Sequence, residues 1–256
     1  MLIFFMLSEN QLSIYKKDGL VKSSTCLSDD KVKDLNNALD KYLDDHKDEN
    51  TEFVSGLYER DSDFLKFAMY PEIISEVKQL IGDDIVLWGS SLFCKKEKNG
   101  KETPWHQDMP YYCVDGNDTG SFWIPLDEVD QKNNLKLVLG SHKWPKLIRP
   151  TKWSNNQSWY QDDSSFMDLP SSEEFEKNIL IPELNLGDAV LFNFKTVHGS
   201  TGNNTSKSRR AFSMRFIGDD VKYINRGGPT SPPFDDISLK SGDLMREDWF
   251  PKIFNS

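Results

Sequence analysis

Two histidines and one aspartate are the residues of this chain that point most directly to chemistry. His106 and Asp108 lie two positions apart in the segment Pro104–Asp108, and in an extended chain residues two apart point to the same side. His198 follows an apolar strand predicted over Ala189–Phe194, where an imidazole can reach into a cavity. Two imidazoles and one carboxylate form a facial triad, which leaves coordination positions open and favours Fe(II). The pattern therefore predicts a metal centre.

A third candidate is Arg209, the first residue of a strand predicted over Arg209–Ile217. Strand alternation places four of its residues on one face: Arg209, Ala211, Ser213 and Arg215. If the small residues of this face line a cavity, Arg209 can hold a carboxylate by two parallel hydrogen bonds, because its guanidinium is a planar fork. An arginine beside a metal centre predicts an anionic ligand.

The two remaining histidines suit structural roles. His46 lies among charged residues at the polar end of a predicted helix, and His142 follows Gly140-Ser141 in a predicted turn. We assign neither of them to the site.

The secondary structure that must position these residues is predicted to change from helices to strands after Gly82. One helix is predicted from Ser28, with apolar residues at helical spacing, and a second over Pro71–Ile81. Short apolar or alternating strands follow, over Ile85–Cys94, Ser121–Val129, Leu135–Leu139, Ala189–Phe194 and Arg209–Ile217. Helices first and separated strands later predict an α+β chain, mostly β, with a sandwich or barrel core.

We expect a single domain over residues 1–256, with a helical part at about 1–82 and a β core at about 83–220. The segment Ser141–Leu186 interrupts that core and carries tryptophans among Asn, Ser, Asp and Pro, including Trp144, Trp153 and Trp159. A long insertion rich in rings is typical of a lid or wall of a site. We expect it to become ordered when substrate binds.

Composition narrows the class of protein. The 256 residues include 37% hydrophobic and 12% aromatic residues and carry a net charge of −10, which excludes wholesale disorder and disfavours nucleic acid or an anionic membrane as partner. Three widely separated cysteines and no span-length apolar segment or signal peptide predict a cytoplasmic protein. A monomer and a homodimer both stay open.

The ordered motifs resemble the phytanoyl-CoA dioxygenase family of Fe(II)/2-oxoglutarate oxygenases. They run over nearly the whole chain, at Tyr15–Gly19, Trp105–Asp108, Trp123–Asp127, Leu139–Lys143, Gly187–Phe192, Val197–Ser200 and Arg209–Ser213. The resemblance implies a double-stranded β-helix, the cupin-like jelly roll, with supporting N-terminal helices.

The same resemblance implies roles for particular residues. His106, Asp108 and His198 match the iron ligands, and Arg209 matches the residue that pairs with the distal carboxylate of 2-oxoglutarate. Trp123 matches a tryptophan that lines the cosubstrate, and Ser213 shares the strand face of Arg209. The implied cofactors are Fe(II), 2-oxoglutarate and O2. The implied reaction hydroxylates an unactivated C–H bond and releases succinate and CO2.

The sequence predicts the substrate less specifically than it predicts the metal centre. Candidate wall residues are Tyr111, Tyr112, Trp88, Trp144, Arg149 and Trp159. The acidic balance and the few clustered basic residues favour a small free metabolite over an acyl-CoA, whose phosphates need cations. Three alternatives stay open: an acyl-CoA hydroxylase, a Zn²⁺ hydrolase with the same three ligands, and a jelly-roll binding or regulatory module without turnover.

Overall fold

Two facing antiparallel β-sheets form the core of the chain. The computed structural model describes residues 6–23, 26–98, 101–152, 157–160, 163–230, 237–245 and 250–253. The helices are α1 (Glu9–Asp18), α2 (Asp29–Asp45), α3 (Leu57–Arg60), α4 (Leu65–Ala68), α5 (Pro71–Ile81) and α6 (Ser172–Phe175). The strands are β1 (Leu20–Ser23), β2 (Phe53–Ser55), β3 (Ile85–Lys95), β4 (Thr103–His106), β5 (Val114–Asp115), β6 (Thr119–Pro125), β7 (Leu135–Val138), β8 (Ile179–Leu180), β9 (Ala189–Phe192), β10 (His198–Ser200), β11 (Arg209–Ile217), β12 (Lys222–Tyr223) and β13 (Lys252–Ile253).

The larger sheet has the order β1-β9-β6-β11-β3-β13, with β2 also paired to β3, and the smaller sheet has the order β4-β10-β7-β8. All of their strand pairs are antiparallel. Apolar residues from both sheets pack between them, among them Trp123, Leu137, Val190 and Phe192. This arrangement is the jelly roll that the resemblance implied.

The helices cover the outer face of the larger sheet. The α2 residues Val32, Leu35, Leu39 and Tyr42 are buried there together with α5. Helix α5 begins at Pro71, whose missing N–H costs nothing at the first turn, and ends at Ile81, followed by the capping residue Gly82 with φ +97°. Both predicted helices are confirmed. No helix in the ranges given above is both long and apolar enough to span a bilayer.

The first eighty residues also contribute strands that the sequence analysis missed. Strand β1 pairs with β9, and β2 pairs with β3. Helix α1 leads into β1 through Gly19, which has φ +80°, a conformation that glycine adopts without a Cβ clash. Strands of four and three residues are too short to show the alternation on which prediction depends. The expected helical part therefore completes the larger sheet.

The insertion is partly built into the fold. Strand β8 pairs with β7 in the smaller sheet, and the preceding helix α6 buries Phe175 against the rings of Trp105 and Trp144. Trp153 lies outside the described residues. Ordering of this segment by substrate stays a prediction.

Candidate active site

Strand pairing in the smaller sheet brings the two candidate histidines together. His106 ends β4 and His198 begins β10, and the two residues are direct partners across the antiparallel pair. Their ring centroids are 4.2 Å apart. Asp108 follows β4, with its Oδ1 atom 3.6 Å from His106 Nε2 and 3.8 Å from His198 Nε2. The three side chains are buried, and their ligand atoms all lie within 4.8 Å of one another.

Backbone carbonyls fix which ring nitrogen each histidine presents. The Nδ1 atom of His106 lies 2.7 Å from the Pro104 carbonyl oxygen, and that of His198 lies 2.9 Å from the Thr196 carbonyl oxygen. A carbonyl only accepts, so each Nδ1 carries a proton, and Nε2 is the ring nitrogen that faces Asp108 and can bind a metal. Burial and the neighbouring His106 lower the pKa of His198 to about 3. This imidazole is neutral at pH 7, as a metal ligand must be.

Asp108 is held by one of its two oxygens. Its Oδ2 atom accepts hydrogen bonds from Ser121 Oγ at 3.0 Å and from Arg215 Nε at 3.2 Å, while Oδ1 turns toward the imidazoles. Burial alone raises the pKa of this carboxyl, but the Arg215 guanidinium beside it outweighs burial and holds the pKa well below its usual range. Asp108 is therefore an anion with one oxygen available to a metal.

Arg209 lies at the start of β11 on the same inner face. Its side chain is buried, its Nε donates to the Asn133 carbonyl oxygen at 3.0 Å, and its guanidinium carbon lies 5.7 Å from the ring centroid of Trp123. Burial lowers its pKa to about 10, which leaves the group charged at pH 7. The next residue, Arg210, points to the opposite face and pairs with Asp127 and Asp40.

A central cavity between the two sheets joins these groups. Its empty volume, including the mouth, is about 420 Å³, and it is lined by Phe93, Thr103, His106, Trp123, Leu135, Phe192, His198, Ser200, Arg209, Ser213 and Arg215. Ser213 is the β11 partner of Trp123 on β6. The structure thus brings together the predicted metal residues and the three predicted cosubstrate residues. Arg215 was not among the predicted site residues, although strand alternation from Arg209 placed it on this face.

Tyr111 and Arg149 lie at a second cavity, which His106 also lines. The Tyr111 ring is 6.1 Å from that of His106, and its hydroxyl donates to the Thr151 carbonyl oxygen at 2.9 Å. The Arg149 guanidinium donates to the carbonyl oxygens of Tyr160 and Asp163. Arg149 therefore holds the insertion together at this cavity.

The other candidate wall residues are placed differently. Trp88 and Tyr112 line a third cavity, beside Arg215. The Trp159 ring packs against Tyr111 at 5.1 Å. Trp144 lines none of these three cavities, because its ring packs with Phe175 against the smaller sheet. A tryptophan in a segment without periodicity gives no signal of which way it points.

His46 and His142 lie away from the metal centre. The His46 ring stacks on Tyr42 with a centroid separation of 4.1 Å. His142 lies in the turn Ser141–Lys143, 3.4 Å from the Lys16 carbonyl oxygen in α1.

Comparison with known proteins identifies the family. The sequence profile of the phytanoyl-CoA dioxygenase family matches residues 15–211, about three quarters of the chain. The chain belongs to this family. The matched range includes His106, Asp108, His198 and Arg209, and it ends before Arg215.

Curated relatives of this family member include enzymes with different names. It is 27% identical over 181 residues to the peroxisomal phytanoyl-CoA dioxygenase of Rattus norvegicus. The alignment covers 67% of this chain and 51% of that protein. It is 26% identical over 151 residues to a probable alpha-ketoglutarate-dependent hypophosphite dioxygenase of Stutzerimonas stutzeri, covering 59% of this chain and 51% of that protein. The chain thus spans about half the length of the curated relatives it matches.

Solved structures confirm the fold over almost the whole chain. The carbocyclase SnoK from nogalamycin biosynthesis, described as non-heme and alpha ketoglutarate dependent, superimposes with a TM-score of 0.74 at 19% identity, covering 97% of both chains. EctD from S. alaskensis, solved with 2-oxoglutarate and 5-hydroxyectoine, superimposes with a TM-score of 0.71 at 18% identity, covering 96% of this chain and 90% of its own.

Proposed function

We propose that this chain is an Fe(II)- and 2-oxoglutarate-dependent dioxygenase, an oxidoreductase that hydroxylates an unactivated C–H bond of a small metabolite. The observation that carries the proposal is that His106, His198 and the buried Arg209 line one cavity, with Asp108 beside the two imidazoles. Family membership and the names of the curated relatives support it.

The donor set fits Fe(II). Two Nε2 atoms and one carboxylate oxygen lie within 4.8 Å of one another, and a set of two imidazoles and one carboxylate leaves coordination positions for other ligands. The partners of Nδ1 and Oδ2 already hold each side chain in the orientation that a metal needs. His106, Asp108 and His198 would hold the iron.

The buried Arg209 fits the distal carboxylate of 2-oxoglutarate. Among the described residues it has one hydrogen bond, to the Asn133 carbonyl oxygen, and no ion pair with a carboxylate. A buried guanidinium without an anion is costly, so a carboxylate that enters the cavity is bound strongly there. Trp123 lies against the guanidinium, and Ser213 adds a hydroxyl to the same wall.

When bound, Fe(II) and 2-oxoglutarate supply the reductive activation of O2, in which one oxygen atom enters succinate as CO2 is lost and the other enters the substrate C–H bond. The chain contributes geometry and exclusion of water. Its neutral imidazoles and single carboxylate compensate one charge of the metal, and Phe93, Leu135 and Phe192 keep the cavity apolar.

A small metabolite fits this chain better than an acyl-CoA. The net charge of −10 repels the phosphates of coenzyme A on average. The cavities beside the metal residues are short, with empty volumes of about 420 to 880 Å³ even when their mouths are included.

The test is anaerobic addition of Fe(II) and 2-oxoglutarate to metal-free protein, read by the visible charge-transfer absorption of chelated 2-oxoglutarate. We expect the band in the unaltered chain. In Arg209→Ala we expect weaker binding of 2-oxoglutarate, because a buried ion pair is lost. The concentration of 2-oxoglutarate that gives half of the maximal absorbance should rise by about 30-fold or more.

Arg210→Ala is the matched control, because it removes the neighbouring guanidinium from the opposite face of the same strand. It should keep the 2-oxoglutarate affinity. Absence of the band in a folded protein that takes up iron would overturn the proposal.

A further inference from the structure

The third cavity, beside Arg215, has the features of a substrate site. We name it the Arg215 chamber; its empty volume, including the mouth, is about 460 Å³, and it is lined by Phe53, Ser55, Gly56, Glu59, Trp88, Gly89, Ser90, Ser91, Tyr112 and Arg215. Arg215 lines the central cavity as well, and it binds the carboxylate of Asp108. The chamber therefore adjoins the metal centre across one side chain.

Strand register explains why space exists at this place. Ser55 on β2 is the partner of Ser91 on β3, and Arg215 on β11 is the partner of Gly89 on β3. These residues continue the inner face of the larger sheet beyond the metal residues, and three of them are small. A Cβ atom added to Gly89 would meet no atom within 4 Å. The chamber is thus a gap in the sheet's side-chain layer, with aromatic walls from Trp88, Tyr112 and Phe53.

Arg215 and Tyr112 contribute hydrogen-bond donors to the chamber that have no partner within the described part of the protein. The Arg215 side chain donates through Nε to Asp108 and through Nη1 to Ser91 Oγ at 2.9 Å. Within the described residues its Nη2 atom has no partner, and the Tyr112 hydroxyl has no hydrogen bond. Both residues are more than nine-tenths buried. Donors without a protein partner on a cavity wall can be satisfied by an acceptor of the ligand.

The charge balance makes that acceptor an anion. Arg209 and Arg215 are the buried guanidiniums of the inner face, and Asp108 is their one carboxylate partner there among the described residues. Fe(II) and the 2-oxoglutarate dianion cancel each other, so at least one positive charge is left, and the buried Lys95, the β3 partner of Arg209, can only add to it. A carboxylate of the substrate neutralises it next to Arg215.

The mouth of the chamber carries the opposite charge. Glu59, on the short helix α3, lines it and has an exposed side chain with no ion pair among the described residues. A ligand that satisfies both ends is anionic toward Arg215 and cationic toward Glu59.

We infer that the Arg215 chamber binds the substrate and that this substrate is a compact zwitterion of the amino-acid class, its carboxylate on Arg215 and Tyr112 and its ammonium toward Glu59. The inference rests on the proposed function. The reaction consumes one O2 and one 2-oxoglutarate for each C–H bond converted to C–OH, with release of succinate and CO2.

The test measures succinate formation with a panel of free L-amino acids, their methyl esters, which lack the carboxylate charge, and their N-acetyl derivatives, which lack the ammonium. We expect at least one free amino acid to raise the rate of succinate formation tenfold or more over the rate without an amino acid. The two blocked forms of that amino acid, its methyl ester and its N-acetyl derivative, should give less than a tenth of that rise. No rise above twofold with any free amino acid, or an equal rise with a blocked form, would overturn the inference.

Two variants at Gly89 test whether the substrate binds in the Arg215 chamber. Gly89→Leu fills the chamber and should abolish the rise, whereas Gly89→Ala adds one methyl group in open space and should reduce the rise far less. The charge-transfer band of Fe(II) with 2-oxoglutarate should persist in both variants, which shows that the metal centre is intact. A rise that survives in Gly89→Leu would place the substrate elsewhere. A missing band in the unaltered chain would instead refute the proposed function itself.

Discussion

Asp108 shows how a single side chain is prepared for a metal by its own neighbours. Ser121 and Arg215 both donate to Oδ2, so the carboxylate cannot rotate freely and Oδ1 is the oxygen that faces the imidazoles. The Arg215 contact also keeps this buried carboxylate charged without a metal. A ligand that is charged and oriented in advance loses little entropy when the ion binds.

Ser121→Ala tests this preparation directly. Removal of the hydroxyl leaves Oδ2 with Arg215 alone, so we expect Fe(II) to bind about 10-fold to 100-fold more weakly, the usual cost of losing a hydrogen bond that orients a metal ligand. An anaerobic Fe(II) titration measures the change.

The control is Ser90→Ala, which also removes a buried hydroxyl. Ser90 Oγ accepts from the Tyr58 backbone N–H and does not touch the metal residues. Its Fe(II) affinity should equal that of the unaltered chain. Equal affinity in Ser121→Ala as well would show that Arg215 alone holds Asp108.

At the scale of elements, strand alternation separates two roles in adjacent residues. Arg209 and Arg215 point inward on β11, while Arg210 points outward and ties the larger sheet to α2 through Asp40. Strand β11 therefore contributes residues to the site on its inner face and a contact with the helices on its outer face.

The contact between α5 and β1 contains a buried acid. Glu76 is 5% exposed and accepts a hydrogen bond from Ser23 Oγ through Oε1, while Oε2 has no hydrogen-bond partner. Burial raises the pKa of Glu76 to about 7, against the opposing effect of Ser23. The folded chain thus holds this proton more tightly than the unfolded chain.

A pH dependence of stability follows from Glu76. The stability that its protonated form contributes is complete below about pH 4.5, the value for the unfolded chain, and is lost as the pH rises through about 7. The loss is on the order of 3 kcal/mol.

Glu76→Gln keeps the shape without the charge, so its free energy of unfolding should lack this fall and exceed that of the unaltered chain at pH 8. Urea unfolding of both proteins at pH 5 and pH 8 measures it. Parallel behaviour of the two proteins between these pH values would contradict the assignment.

Much of the site could be predicted from sequence because local patterns encode it. The two-residue spacing of His106 and Asp108, the place of His198 directly after an apolar strand and the alternation along β11 are all local patterns. The contact between Asp108 and Arg215 joins residues 107 positions apart, and no local pattern encodes such a pair. The short strands β1 and β2 were missed for a related reason, since they exist through pairing with β9 and β3.

At the scale of the whole molecule, the site depends on both sheets. The smaller sheet supplies His106 and His198, and the larger sheet supplies Arg209, Ser121 and Arg215. Ligands that bridge the sheets bind the folded chain and not the unfolded one, because these residues meet only through the fold. Iron and 2-oxoglutarate should therefore stabilise the whole molecule.

Thermal unfolding measures this coupling. With Fe(II) and 2-oxoglutarate at about 100 times their dissociation constants, each ligand adds about 2.7 kcal/mol to the free energy of unfolding, and 1 kcal/mol shifts the Tm of a chain of this size by about 2 to 4 °C. We expect Fe(II) alone to raise the Tm, and 2-oxoglutarate to raise it further by about 5 to 10 °C only when iron is present. In Arg209→Ala, at the same ligand concentrations, the iron step should remain and the 2-oxoglutarate step should fall to about a third or less, because a 30-fold loss of affinity leaves 2-oxoglutarate at only about three times its dissociation constant. If 2-oxoglutarate raised the Tm equally in both proteins, Arg209 would not be its carboxylate partner.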